Sequence, residues 1–133
     1  MPPETTEILS NKGILLKAIN LSRKFDRRPI FKDVNFELRP GSATAITGRN
    51  GSGKSTLIKI IANLLIQSSG TIDLYDGSTK IKKESVYKYM GFVSPYLNLY
   101  DEFSGYENLK IISDIRGAGH GNIDNVLKRV GLY

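Results

Sequence analysis

The distribution of apolar and polar residues predicts β structure at the start of the chain. After a polar lead-in over residues 1–12, apolar, β-branched and aromatic residues recur in segments 14–21 and 30–38, which predicts two strands. Segment 43–47 is a short apolar run that ends at Gly48, and it predicts a third, buried strand. The first third of the chain is therefore expected to be built from strands.

From Lys54 onward the apolar residues fall at helical spacing. One stripe consists of Leu57, Ile60, Ile61, Leu64 and Leu65, and a second of Ile58, Ala62 and Ile66. This pattern predicts a helix that is buried on two sides and ends at the polar segment 67–70. The remaining elements are predicted in this order: a strand over 71–75, a turn at Asp76-Gly77, a strand over 87–93, and helices over 106–116 and 122–130 with Asn122 as an N-cap.

Composition narrows the classes of function. The 133 residues are 40% hydrophobic, enough for a single domain, and include no Cys and one His. Disulfide frameworks, Cys-ligated metals, cysteine nucleophiles and multi-His metal sites are thereby excluded. The most apolar stretch, 57–66, is shorter than the about 20 residues that span a bilayer, and the N-terminus lacks the pattern of a signal peptide, so a cytosolic location is expected.

The net charge of +6 comes from basic residues spread along the whole chain. It is compatible with nucleotide phosphates, nucleic acid or an anionic membrane surface as partners. Most of these side chains are explained equally well by a solvated surface. Charge alone therefore does not select a partner.

Segment 48–55, GRNGSGKS, carries the spacing of a phosphate-binding loop, G-x-x-x-x-G-K-[ST]. Glycines allow consecutive backbone N–H groups to surround an anion, and the N-terminus of the following helix adds partial positive charge. Lys54 supplies a charge for the β- and γ-phosphates, and the Ser55 hydroxyl is suited to ligate Mg²⁺. The simpler alternative is a Gly/Ser turn that binds nothing. The position between a strand pattern and a helix pattern favours the phosphate loop, and hence a bound nucleoside triphosphate.

The residues around this loop resemble a particular family. LSRKF at 21–25, IFKDVNFELRPG at 30–41, GRNGSGKSTL at 48–57 and SSGTI at 68–72 together resemble the start of the ATPase domain of ATP-binding cassette (ABC) transporters. MGFVSPYLNLYDEFSGYENL at 90–109 is similar to the family's Q-loop segment. The resemblance implies an α/β P-loop NTPase fold over 13–133, with an N-terminal antiparallel β portion, a partial parallel core and a helical subdomain that begins near residue 104.

The resemblance also implies the site residues. Phe25 matches the aromatic residue that stacks on adenine, although an ordinary core position is the alternative. Lys54 is the only residue of this chain with an implied catalytic role. The implied ATP-binding set is Phe25, Gly48, Arg49, Asn50, Gly51, Ser52, Gly53, Lys54, Ser55 and Thr56. Mg²⁺ is expected at Ser55.

Two departures from the family pattern change what is expected of this chain. Pro95 occupies the position of the Q-loop Gln, and its side chain cannot reproduce an amide contact, so Ser94, Tyr96 or a water is the candidate substitute. The sequence also has no LSGGQ signature, no apolar strand ending in Asp-Glu and no downstream switch His. We therefore expect these residues to bind ATP as the N-terminal part of such a domain and not to turn it over alone. Asp101-Glu102 and His120 are expected to be exposed residues without a catalytic role.

The partners follow from the resemblance as well. Membrane-spanning transporter subunits, a second copy of the ATPase domain and a position on the inner face of the cell membrane are implied, without nucleic acid. A cluster in the Q-loop segment, Tyr96, Leu97, Leu99, Tyr100 and Phe103, is predicted either to be core or to face a partner. A soluble ABC-type protein that acts on ribosomes or nucleic acid, and an unrelated P-loop kinase, are the competing classes.

Overall fold

The computed structural model describes residues 13–95 and 98–132, which form two compact units divided between Gly91 and Phe92. The first unit contains an antiparallel sheet of four strands, β1 (Ile14–Phe25), β2 (Arg28–Leu38), β3 (Ser69–Asp76) and β4 (Thr79–Lys80), in the order β2-β1-β3-β4. It also contains helix α1 (Lys54–Ile61) and a 3₁₀ segment, Lys83–Lys88. The second unit contains α2 (Gly105–Arg116), a 3₁₀ turn at His120–Asn122 and α3 (Ile123–Arg129). None of the described helices has the length and apolarity needed to cross a membrane.

A β-bulge in the middle of β1 interrupts the alternation of buried and exposed residues. Leu16 and Ala18 are buried at the usual spacing of two, but the next buried residue is Leu21, three positions on. The pairing with β2 and with β3 shifts at the same place, since three residues of β1 oppose two residues of each neighbour. Asn20 adopts a left-handed φ of 49° here. The extra residue returns Leu21, which is completely buried, to the face that packs on Ile60 of α1.

Neighbouring groups hold the bulge in place. The backbone N–H of Asn20 donates to Oδ1 of Asn35 at 2.8 Å, so the amide removed from the ladder keeps a partner. Strand β2 has its own irregularity at Asp33, whose φ is 52° and whose N–H donates to the Ser22 hydroxyl at 2.9 Å. Gly70 of β3 passes so close to the bulge that an added Cβ would lie 2.3 Å from the Asn20 carbonyl oxygen. A side chain at position 70 is therefore incompatible with this backbone.

The elements confirm part of the predicted pattern. The first two strands, the strand from the SSGTI segment and the turn at Asp76-Gly77 are present, and both strands of the first hairpin are longer than predicted. Helices over 106–116 and 122–130 correspond to α2 and α3. Asn122 is at the N-cap of α3 but its side chain caps no backbone N–H; its Oδ1 accepts instead from the Asn125 side chain at 3.4 Å. Residues 1–12, with the predicted polar lead-in, are outside the described range.

Two of the predicted strands are absent from the described structure. Segment 43–47 is not a strand and is mostly exposed, because no described strand lies beside it to complete a ladder. The partial parallel core expected around it is thus not seen in the described part of the chain, where all strand pairs are antiparallel. Segment 87–93 is not a strand either: Val86 is buried beneath the sheet within the 3₁₀ segment, and the chain beyond it is irregular.

Helix α1 is shorter than predicted and is buried on one side only. It ends in a Schellman motif, in which Leu64 N–H donates to Lys59 O at 2.8 Å and Asn63 N–H to Ile60 O at 3.0 Å. Asn63 supplies the left-handed residue, with φ 58°. This polar residue, tolerant of positive φ, stops the helix before the predicted end at 67–70. Ile58 and Ile66 of the second apolar stripe are exposed, and so is Leu64 of the first.

The second unit is organised by the residues that precede α2. Ser104 and Glu107 form a capping box: the Glu107 N–H donates to the Ser104 hydroxyl, and the Ser104 N–H donates to the Glu107 carboxylate at 2.8 Å. Asn108 is 94% buried, and its amide donates to the carbonyls of Tyr100, Phe103 and Ser104 while its Oδ1 accepts from Tyr100 N–H. The Glu-Asn pair thus fixes both the start of α2 and the loop leading into it.

Gly70→Ala tests the close approach at the bulge. We expect a loss of about 2–3 kcal/mol in the free energy of unfolding, because the methyl group meets the Asn20 carbonyl and the φ of 82° is left-handed. Gly77→Ala is the matched control, since Gly77 also has positive φ but its added Cβ meets nothing within 4 Å. It should lose about 1 kcal/mol. Urea unfolding followed by circular dichroism measures both, and equal losses would contradict the steric role of the bulge.

The capping box predicts a pH-dependent contribution to stability. Hydrogen bonds from the Ser104 backbone and hydroxyl lower the pKa of Glu107 below its ordinary value of 4.5. Because the folded pKa is depressed, this stabilisation is present above about pH 4.5 and is lost as the pH falls through the folded value. The melting temperature of the parent chain should exceed that of Glu107→Gln at neutral pH, and the difference should shrink below about pH 4.5. Glu102→Gln, on the exposed loop before α2, is the control; an unchanging difference for Glu107→Gln would refute the prediction.

Candidate nucleotide-binding site

The predicted phosphate loop connects the sheet to the start of α1. Residues 48–52 form an exposed loop containing Gly48, Arg49, Asn50, Gly51 and Ser52, and a hydrogen bond from Ser52 N–H to Arg49 O turns it back on itself. Gly53 is the N-cap of α1, and Lys54, Ser55 and Thr56 form the first turn of the helix. All nine residues predicted for the phosphate cradle are therefore contiguous at one helix N-terminus.

The backbone of Gly53 is packed against strand β2. Its φ is 91°, and an added Cβ would lie 2.5 Å from Cγ2 of Ile30. Glycine is required here both for the left-handed turn into the helix and for the contact with the strand. The contact sets the position of the loop relative to the sheet, because Ile30 belongs to a strand that is hydrogen-bonded to β1.

Lys54 is held by its own loop. Its Nζ donates to the carbonyl oxygens of Gly48 at 2.7 Å and Arg49 at 2.9 Å. These bonds hold the ammonium group at the start of the loop. Its positive charge therefore lies beside the backbone of Gly48 and Arg49. An ammonium group has three donors, and the third stays available for an anion.

The first turn of α1 offers donors that no side chain satisfies. Gly53 provides no side-chain cap, and the first intrahelical bond of the helix runs from Leu57 N–H to Gly53 O. The N–H groups of Lys54, Ser55 and Thr56 are the orphan donors of a helix N-terminus. Such donors beside an ammonium group fit a polyphosphate. The exposed Ser55 hydroxyl fits a Mg²⁺ ion that shares phosphate oxygens, and the described residues contain no separate group of three or more acidic or His side chains arranged for a metal.

Phe25 lies at the end of β1, on the same hairpin that packs against the loop. It pairs with Arg28 across the turn, and Ile30, two residues further along β2, is the residue that meets Gly53. Phe25 and Gly53 therefore both adjoin the first residues of β2. Phe25 is 46% exposed, which excludes the alternative that it is a core residue.

Arg23 is a neighbour of Phe25 that the sequence analysis missed. The Cζ atom of its guanidinium group lies 4.5 Å from the centroid of the Phe25 ring. The spacing R-x-F on a strand was the available signal, because residues i and i+2 share one face. The Nε of Arg23 is buried and has no acceptor among the described residues, which costs about 1–3 kcal/mol. The cation–π contact offsets part of that cost.

The remaining candidate residues belong to the second unit. Pro95 lies in an exposed turn, and its neighbour Tyr96 is outside the described residues, as is Leu97. Asp101 and Glu102 are exposed, as predicted. His120 is exposed too, and its Nε2 lies 2.6 Å from Oδ1 of Asp114. Leu99, Tyr100 and Phe103 are about half exposed, so the core alternative for this cluster is wrong for its described members.

The loop, its lysine and the helix that follows define a P-loop nucleotide-binding fold. The family model for ABC transporters matches residues 31–133, which is most of the chain. The chain therefore belongs to the ABC transporter family. The predicted P-loop NTPase fold is confirmed, with an antiparallel sheet and helices among the described residues.

Known proteins support the same assignment. The chain is 31% identical over 118 residues to the lantibiotic transport ATP-binding protein SrtF of Streptococcus pyogenes, covering 89% of this chain and 50% of that protein. It is 36% identical over 118 residues to the cytochrome c biogenesis ATP-binding export protein CcmA of Mesorhizobium japonicum, covering 88% and 57%. It is 46% identical over 122 residues to the putative HMP/thiamine import ATP-binding protein YkoD of Bacillus subtilis, covering 89% and 22%.

A solved structure described as the ATP-binding subunit of an ABC transporter matches with a TM-score of 0.75 at 25% identity, over 89% of this chain and 51% of that one. The chain thus spans between 22% and 57% of the length of these relatives. Proteins whose names specify import and export are both among them.

Proposed function

We propose that this chain is the nucleotide-binding part of an ATP-binding subunit of an ABC transporter, and that it binds MgATP at the loop before α1. The observation that carries the proposal is Lys54, whose Nζ is fixed over the loop by the Gly48 and Arg49 carbonyls beside uncapped helix donors. This arrangement binds a polyphosphate through charge and backbone amides. Phe25 stacks on the base, and the remaining residues of segment 48–56 complete the cradle.

Each group has a distinct part in binding. Lys54 neutralises charge on the β- and γ-phosphates. Ser55 would hold Mg²⁺ through its hydroxyl, and the ion would supply positive charge beside the phosphates. The role of the loop is to hold the phosphates in a fixed position, because phosphoryl transfer depends mainly on positioning and electrostatic stabilisation.

We propose membrane-spanning transporter subunits and a second ATPase domain as partners, at the inner face of the cell membrane. The names of the relatives support transport, since SrtF and CcmA are named as transport and export ATP-binding proteins. In the second unit, the half-exposed Leu99, Tyr100 and Phe103 support contact with a protein partner. Tyr100 and Phe103 form one aromatic pair, with ring centroids 5.6 Å apart.

Replacement of Lys54 tests nucleotide binding. Lys54→Ala should weaken ATP binding about tenfold to a hundredfold, because hydrogen bonds to charged groups contribute about 1.5–3 kcal/mol. Lys59→Ala is the matched control: it removes the same charge from the other end of α1, on the exposed surface. Calorimetry with and without Mg²⁺ measures both. Equal affinities for Lys54→Ala and the parent chain would refute the site.

We also propose that these 133 residues bind ATP without turning it over alone. Phosphoryl transfer to water requires a group that orients the attacking water. The resemblance assigns that role to no residue of this sequence. A phosphate-release assay should therefore give the background rate. Release that Lys54→Ala abolishes would contradict this proposal.

A further inference from the structure

Arg23 is anchored on one side and stacked on the other. Its Nη1 donates to the carbonyl oxygen of Ile66 at 2.8 Å, which ties the guanidinium group to the segment between α1 and β3. Its Cζ atom lies over the Phe25 ring, 4.5 Å from the ring centroid. Its buried Nε lacks an acceptor among the described residues. The contacts of this side chain are therefore arranged around the ring and the Ile66 carbonyl.

We propose that Arg23 is a positioning residue for the base of the bound nucleotide, acting through Phe25; this inference rests on the proposed function. The guanidinium group covers one face of the ring, so the exposed surface of Phe25 lies on the opposite face and the edge. A purine that stacks on the open face completes a sandwich of guanidinium, phenyl ring and base.

Two physical effects favour this sandwich. Arg23 limits the rotation of an otherwise half-exposed ring, so less conformational freedom is lost when a base stacks on it. The cation also draws the π-electron density of the ring toward itself, which reduces the repulsion between that density and an electron-rich base on the other face. Both effects act on the base alone and leave the phosphate contacts unchanged.

Arginine is specifically suited to this position. Its cationic group lies over the ring while an N–H reaches the Ile66 carbonyl. Lysine would keep the charge but lose the several donors of the guanidinium group that allow both contacts. The neighbouring Arg27 is exposed in the turn and has no ring contact among the described interactions, so it offers a control of equal charge a few residues away.

The experiment compares ATP with inorganic tripolyphosphate, which has no base. Calorimetry on the full chain should show that Arg23→Gln weakens ATP binding about threefold to tenfold and leaves tripolyphosphate binding unchanged. Arg27→Gln should leave the ratio of the two affinities at the parent value. In a Phe25→Leu background, Arg23→Gln should have no further effect on ATP, because the ring that transmits it is absent.

The outcomes separate this inference from the proposed function. If the parent chain binds neither ligand, both fail. If it binds ATP and Arg23→Gln leaves the affinity ratio unchanged, or weakens both ligands equally, the positioning role of Arg23 is overturned and nucleotide binding stands.

A measurement on the parent chain covers the case in which Arg23→Gln does not fold. The Arg23 Nε–H nuclear magnetic resonance signal should carry a ring-current shift that Phe25→Leu removes. It should move on addition of ATP and not of tripolyphosphate. If ATP does not shift this signal in a chain that has been shown to bind ATP, the inference is overturned.

Discussion

The bulge at Asn20 is the constraint on which the first unit depends. Successive residues of a strand point to opposite faces, so one extra residue reverses the facing of everything that follows it. Without it, Leu21 would lie on the face opposite Leu16 and Ala18. With it, Leu21 packs on Ile60 of α1. A backbone irregularity of one residue thus joins β1 to the helix that follows the loop over residues 48–52.

The early end of α1 complements the bulge. Because the Schellman motif at Asn63 stops the helix, the next few residues return to the end of β1. There Ser68 N–H donates to Ser22 O at 2.9 Å, and the Ser68 hydroxyl accepts from Lys24 N–H at 3.0 Å. A helix extended to the predicted end would have no chain left to make these bonds or to bring the Ile66 carbonyl to Arg23. The segment between α1 and β3 therefore holds the end of β1 and the side chain of Arg23.

The loop over residues 48–55 could be predicted because its conformation and charge depend on local sequence. Elements that depend on contacts with distant residues could not be predicted in this way. The Gly, Lys and Ser residues of segment 48–55 act through backbone conformation and charge, which sequence spacing specifies directly. The strand expected over 43–47 required a neighbouring strand, a nonlocal condition that apolar composition does not reveal. The bulge was visible as the spacing of Leu16, Ala18 and Leu21, but this signal has meaning only once the core face is known. The role of Asn108 was hidden for another reason: a buried amide in a polar-looking segment is indistinguishable by pattern from an exposed one.

The two carbonyl contacts of Lys54 have a consequence for how quickly and tightly an anion is captured. A free lysine side chain carries about 2 kcal/mol of rotamer entropy, most of which is lost when its end is fixed. Here the Gly48 and Arg49 carbonyls impose that loss during folding and not during binding. Under the proposed function, a phosphate binds to an ammonium group that is already ordered. Such a site is preorganised, because less protein conformational entropy is lost on binding.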